Sequence, residues 1–102
     1  MHLIQLLLPL YDNDGVRQPD ELFRRVRSEL TERFGGLTAY SRAPALGAWQ
    51  DDAGHTGHDD IVVYEVMVEE IDRAWWNSYR EQLEHAFRQR ELVVRAQDIT
   101  LL

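Results

Sequence analysis

Apolar residues bunch or alternate in four short stretches of this chain and recur at helical spacing in two longer ones. The clearest stretch is Ile61-Val62-Val63-Tyr64-Glu65-Val66-Met67-Val68, eight residues that are apolar or aromatic except for one acid. β-branched and aromatic residues at that length predict a strand, and apolar side chains on both of its faces predict a central one. Alternation puts Val62, Tyr64, Val66 and Val68 on one face and Ile61, Val63, Glu65 and Met67 on the other. Residues 2–11 predict another strand, with Ile4, Leu6 and Leu8 opposite Leu3, Gln5 and Leu7.

Between these strands, Asp12-Asn13-Asp14-Gly15 has turn chemistry, and Pro19-Asp20-Glu21 has the residues of a helix start. Leu22, Phe23, Val26, Leu30 and Phe34 then follow helical spacing, with Arg24, Arg25, Arg27 and Glu32 on the outer side, until Gly35-Gly36 stops the helix. Residues 37–50 form an extended, weakly patterned segment. Pro44 suits only an edge strand or a break, and Gly47 suggests a bulge. Residues 51–60 form a polar hairpin loop. A second helix starts at an Asp72 cap, with Ile71 stapled onto Trp76. Its apolar stripe runs through Trp75, Tyr79, Leu83, Ala86 and Phe87, with Trp76 at its edge. Leu92 to Ala96 is the last strand, with Ile99 or Leu101 as alternative ends.

The order β-α-β-β-α-β, combined with right-handed crossovers, predicts an α+β ferredoxin-like sandwich. Its four-stranded antiparallel sheet has spatial order 4-1-3-2, with both helices on one face. The whole of residues 1–102 reads as one such domain.

Two helices cover one side of the sheet, so the other side carries Ile61, Val63, Glu65 and Met67, joined by Leu3, Gln5, Leu7, Val93, Arg95 and Gln97. A simple hairpin register adds Trp49 near Ile61. The result is an apolar patch crossed by the polar row Arg95–Gln5–Glu65. A monomer rarely leaves such a patch in water. A homodimer closed through this sheet face or through an edge strand is the leading expectation, and a small-molecule cavity on this face is the functional one. Folding back of residues 41–60 is the monomeric alternative. Glu65 is then either half of a structural pair with Arg95 or an acid/base group in a site.

Charge narrows the partners. Eighteen acids against eleven bases give a net charge of −7, which argues against nucleic acid or an anionic membrane. Every base is arginine, which reads as coding bias. Glu21, Glu29 and Glu32 interleave with the arginines of the first helix and suggest an ion-paired, solvated face there. The absence of cysteine excludes disulfides and thiolate metal ligands. The leucine-rich start lacks a basic leader and a small-residue cleavage site, so a cytoplasmic location is expected.

His55-Thr56-Gly57-His58-Asp59-Asp60 has metal-ligand chemistry without the fixed spacing of a metal motif. It reads as a solvated hairpin tip, and no metal or cofactor is expected. Trp75-Trp76 reads as packing rather than ligand stacking.

Phe34-Gly35-Gly36-Leu37-Thr38, then Gly47-Ala48-Trp49, Glu65 and Phe87-Arg88-Gln89, resemble a group of small bacterial domains of unknown function. These domains carry an F-x-G-L-T … G-x-W … E … F-x-Q progression. The resemblance implies a ferredoxin-like domain, supplies no activity, and marks Thr38, Trp49, Glu65 and Gln89 as site candidates beside Gln5 and Arg95. Two functional classes follow. One is a homodimeric small-molecule-binding or regulatory module. The other is an enzyme of the dimeric α/β-barrel type with Glu65 as acid or base; a purely structural or protein-partner role stands beside them.

Overall fold

The computed structural model describes residues 1–42, 49–50, 56–57 and 61–102, with backbone alone at 40–42, 49–50 and 56–57. Its elements are β1 (His2–Pro9), α1 (Asp20–Phe34), β2 (Thr38–Arg42), β3 (Trp49–Gln50), β4 (Thr56–Gly57), β5 (Ile61–Val68), α2 (Arg73–Ala86) and β6 (Val94–Asp98). Strands β2-β5-β1-β6 form one antiparallel sheet, and β3 and β4 form a separate two-stranded one. With the two short strands set aside, the order is 2-3-1-4, which is 4-1-3-2 read from the opposite edge. The expected ferredoxin-like α+β arrangement is present.

Periodicity explains the layers. Along β1, Ile4, Leu6 and Leu8 are buried while their neighbours are only half-buried. With Tyr64, Val66 and Val68 of β5 they meet Phe23, Val26 and Leu30 of α1 and Trp76, Tyr79 and Leu83 of α2 in one core. The turn after β1 is closed by Asp12, whose Oδ1 accepts the N–H groups of Asp14 and Val16, each at 2.9 Å. Gly15 follows in the left-handed region at φ 77°, where a side chain would be strained. Gly35 ends α1 in the same way (φ 78°), its N–H donating to the Thr31 carbonyl. Asp72 caps α2 as expected, its Oδ1 accepting the Trp75 N–H at 3.1 Å.

Three details differ from the sequence reading. On α2, Trp76 points into the core and stacks on Phe34 of α1 with ring centroids 5.3 Å apart. Trp75 instead sits half-buried at the rim, against Tyr79 and beneath the Arg33 guanidinium. Adjacent indoles lie only about 100° apart on a helix, so packing with α1 chooses between them. The last strand begins at Val94 and not Leu92, because the Leu92 N–H donates to the Glu84 carboxylate of α2 (3.0 Å) instead of to the ladder. Finally, Ile61 pairs with Arg42 of β2, whereas Trp49 pairs with Gly57 in the short ribbon. The simple hairpin register that set Trp49 near Ile61 is therefore wrong.

Candidate functional site

The ladder aligns four of the site candidates across the full width of the sheet. Gln5 of β1 lies opposite Glu65 of β5 on one side and Arg95 of β6 on the other, and Thr38 of β2 lies opposite Glu65. All four belong to the face away from the helices, because each alternates with a neighbour packed on the helix side.

The row is wired as a directed chain. The Arg95 Nε–H donates to Gln5 Oε1 at 2.9 Å, and Gln5 Nε2 donates to Glu65 Oε2 at 2.6 Å. The expected Arg95–Glu65 contact is thus relayed by an amide instead of direct. The reason is spacing: β6 and β5 flank β1, about 10 Å apart at 4.8 Å per strand, and Gln5 fills the interval. A glutamine amide has one acceptor end and one donor end, so a cation on one side and a carboxylate on the other settle its orientation. Charge-assisted bonds at both ends make the chain stronger than a neutral one. Arg95 is exposed, with no carboxylate paired to it among the described residues, while Gln5 and Glu65 are half-buried.

Around the row the apolar surface is graded. Met67 and Val93 are 54% and 50% exposed, whereas Val63, on the same face and outside the helix-side core, is 3% exposed. Leu3 and Leu7 are half-buried between these limits.

Gln89 stands apart from the row. It follows α2 and donates from Nε2 to the Phe87 carbonyl at 3.2 Å. The Trp49 side chain, His55, His58, Asp59 and Asp60 lie outside the described residues.

The arginines of α1 do not form the self-neutralised face that the interleaved acids suggest. Arg25 pairs with Glu29 at 3.2 Å, and Arg33 with Asp72 at 3.9 Å. Arg24 and Arg27 have no ion pair among the described residues, and with Arg17 they line a cleft of about 440 Å³ between α1 and the β2–β5 side of the sheet. A legible sign was the lack of any acid at the helical neighbours of Arg27, which are Phe23, Arg24, Leu30 and Thr31.

No family model and no curated protein matches the chain. Among solved structures it is similar to a phage SAM lyase in complex with S-methyl-5'-thioadenosine. That likeness has a TM-score of 0.58 and 14% identity, covering 95% of this chain and 80% of the other. At that identity it speaks for the fold. No helix among the described residues is long and apolar enough to cross a membrane.

Proposed function

We propose that this chain is a small-molecule-binding module whose site is the open sheet face. The row Arg95–Gln5–Glu65, with Thr38 at its end, would be the polar anchor. The observation that carries this reading is the directed chain of hydrogen bonds. It holds a guanidinium at one end and a carboxylate at the other, at fixed separation, on the rigid floor of a sheet beside exposed apolar side chains. Pockets combine these elements, an apolar surround and a few convergent polar groups.

The likeness to a SAM lyase supplies the first ligand class to test, an adenine nucleoside carrying a sulfur substituent. It does not transfer an activity, since one fold hosts many. We include in the proposal a homodimer closed over the same face, supported by the exposure of Met67 and Val93.

Titration calorimetry with S-methyl-5'-thioadenosine and SAM tests the site. Glu65→Gln keeps the shape and replaces a charge-assisted bond with a neutral one. It is expected to leave stability within about 1 kcal/mol, because the row is only half-buried. Affinity is expected to fall about tenfold or more through loss of a charged contact. Saturable binding unchanged in both Glu65→Gln and Arg95→Gln would remove the site from this face.

A second reading, in which Glu65 acts as acid or base in a lyase reaction, is favoured by the same structural likeness. It requires S-methyl-5'-thioadenosine to accumulate when the protein is incubated with SAM, and that product to disappear in Glu65→Gln. Light scattering across micromolar concentrations addresses assembly: a 24 kDa particle is expected, twice the 12.0 kDa chain. A concentration-independent 12.0 kDa particle would rule the dimer out.

A further inference from the structure

We infer that the cleft between α1 and the β2–β5 side of the sheet is a second binding site, for a small molecule with a dianionic head such as a phosphate monoester. It lies on the helix side of the sheet, opposite the face that carries the Glu65 row, and does not depend on that row.

Charge is the first argument. Among the described residues, Arg17, Arg24 and Arg27 line the cleft together with one carboxylate, Asp20. Asp20 is already engaged with Arg17 at 3.5 Å. Among the described residues, Arg24 and Arg27 thus remain without an ion pair on one helix face, three residues apart, where like charges repel. Glu21 and Asp20, three and four residues before Arg24, form no ion pair with it, and Ser28 and Thr31 stand four residues beyond these two arginines. Arg25, by contrast, has Glu29 at that spacing and pairs with it. An anion in the cleft would relieve the repulsion that the fold leaves standing.

Placement is the second argument. Arg27 is not a freely swinging surface cation. Its Nη1 donates to the Tyr64 hydroxyl at 2.9 Å, and that hydroxyl is in turn 3.4 Å from the Phe23 carbonyl oxygen, to which it donates. Tyr64 is fully buried in β5, so the guanidinium is held against the core by a rigid ring. A guanidinium fixed through one nitrogen still presents other N–H donors, and two such groups match the charge and the oxygens of a phosphate.

Shape is the third argument. At about 440 Å³ the cleft falls within the range of small-molecule sites, and its mainly polar lining includes the apolar side chains of Leu10, Phe23 and Val62, which the body of a ligand could touch. These few apolar contacts beside the arginines favour an organic phosphate over free phosphate.

The probes are phenyl phosphate and inorganic phosphate, with phenol and sodium chloride at matched ionic strength as controls. Amide chemical shifts follow the titration. Saturable shifts are expected at α1 and at Ala39, Val62 and Tyr64, with phenyl phosphate binding more tightly than inorganic phosphate and phenol not binding. Arg24→Gln and Arg27→Gln are each expected to weaken phenyl phosphate about tenfold or more, the loss of a charge-assisted contact. Tyr64→Phe, which keeps the ring in the core, should weaken it severalfold by releasing Arg27. Arg90→Gln, an exposed arginine beyond α2, should leave it unchanged, as should Glu65→Gln. Absence of saturable binding to the native protein at about 10 mM would overturn the inference, because a two-arginine site must exceed general screening at that level. Equal weakening by Arg90→Gln would overturn it too, by showing a net-charge effect. Should Arg27→Gln fail to fold, exposed Arg24 decides the question alone.

Discussion

Phe87→Ala is expected to destabilise the fold by about 3–5 kcal/mol, the range for deleting a fully buried aromatic side chain. Phe87 is completely inaccessible and meets Phe23 of α1 edge to face at 5.3 Å, so its ring joins the end of α2 to the first turn of α1. The surrounding polar contacts use its backbone. Its N–H donates to the Leu83 carbonyl at 2.8 Å, and its own carbonyl accepts the amide of buried Gln18 at 2.7 Å. Alanine preserves those bonds, so the loss reports the cavity and the lost ring contact. Urea unfolding measures it, and the matching fall in Tm is about 12 °C or more for a chain of this size. Phe87→Leu, which refills most of the volume, should cost much less. A loss below about 1 kcal/mol for the alanine variant would mean that this region collapses around the gap or that Phe87 is not packed as described.

Tyr79→Phe is expected to act in the opposite direction, raising stability by about 1–2 kcal/mol, because it removes a buried hydroxyl that has lost its water. Tyr79 is 4% exposed, and its hydroxyl has no hydrogen-bond partner among the described residues. Burial pushes its pKa far above the ordinary value of 10.0; the Glu29 carboxylate pushes the same way, and Arg25 opposes them. The sign of the pH dependence follows. Below pH 10 both folded and unfolded states keep the proton, and the group adds no pH dependence. Above pH 10 the unfolded chain releases it while the folded protein holds it. Stability then falls, by up to about 1.4 kcal/mol per pH unit from this group alone. The other tyrosines also titrate in that range, so the informative quantity is the difference between native and Tyr79→Phe unfolding free energies from pH 8 to 11. That difference should be flat up to pH 10 and widen above it in favour of phenylalanine. A Phe variant that is less stable throughout would show that the hydroxyl has a partner in solution.

Much of this architecture was legible because it rests on local periodicity. The alternation of β1, the apolar run of β5 and the stripe of α1 each specify a face without reference to the rest of the chain. Asp72, Gly15 and Gly35 mark boundaries through backbone chemistry that a few residues contain. Even the row Arg95–Gln5–Glu65 could be read, since a period of two assigns its members to the open face and topology makes the strands neighbours.

Where local signals tied, packing between elements decided. Trp75 and Trp76 are equally apolar and both touch Phe34 of α1; the packing of α2 on the core buries Trp76 and leaves Trp75 at the rim. The Glu84 carboxylate takes the Leu92 N–H and delays the last strand, an effect of α2 on a residue eight positions away. Arg24, with Asp20 and Glu21 a turn before it, looks like its ion-paired neighbours in the sequence, and for Arg27 the sequence shows only the lack of an acid nearby. What sets them apart is that Asp20 turns to Arg17 and buried Tyr64 holds Arg27. Hydrophobic periodicity is additive along the chain and can be read from it. The choice among near-equal rotations, partners and registers turns on contacts between distant residues, and for those only the folded arrangement holds the answer.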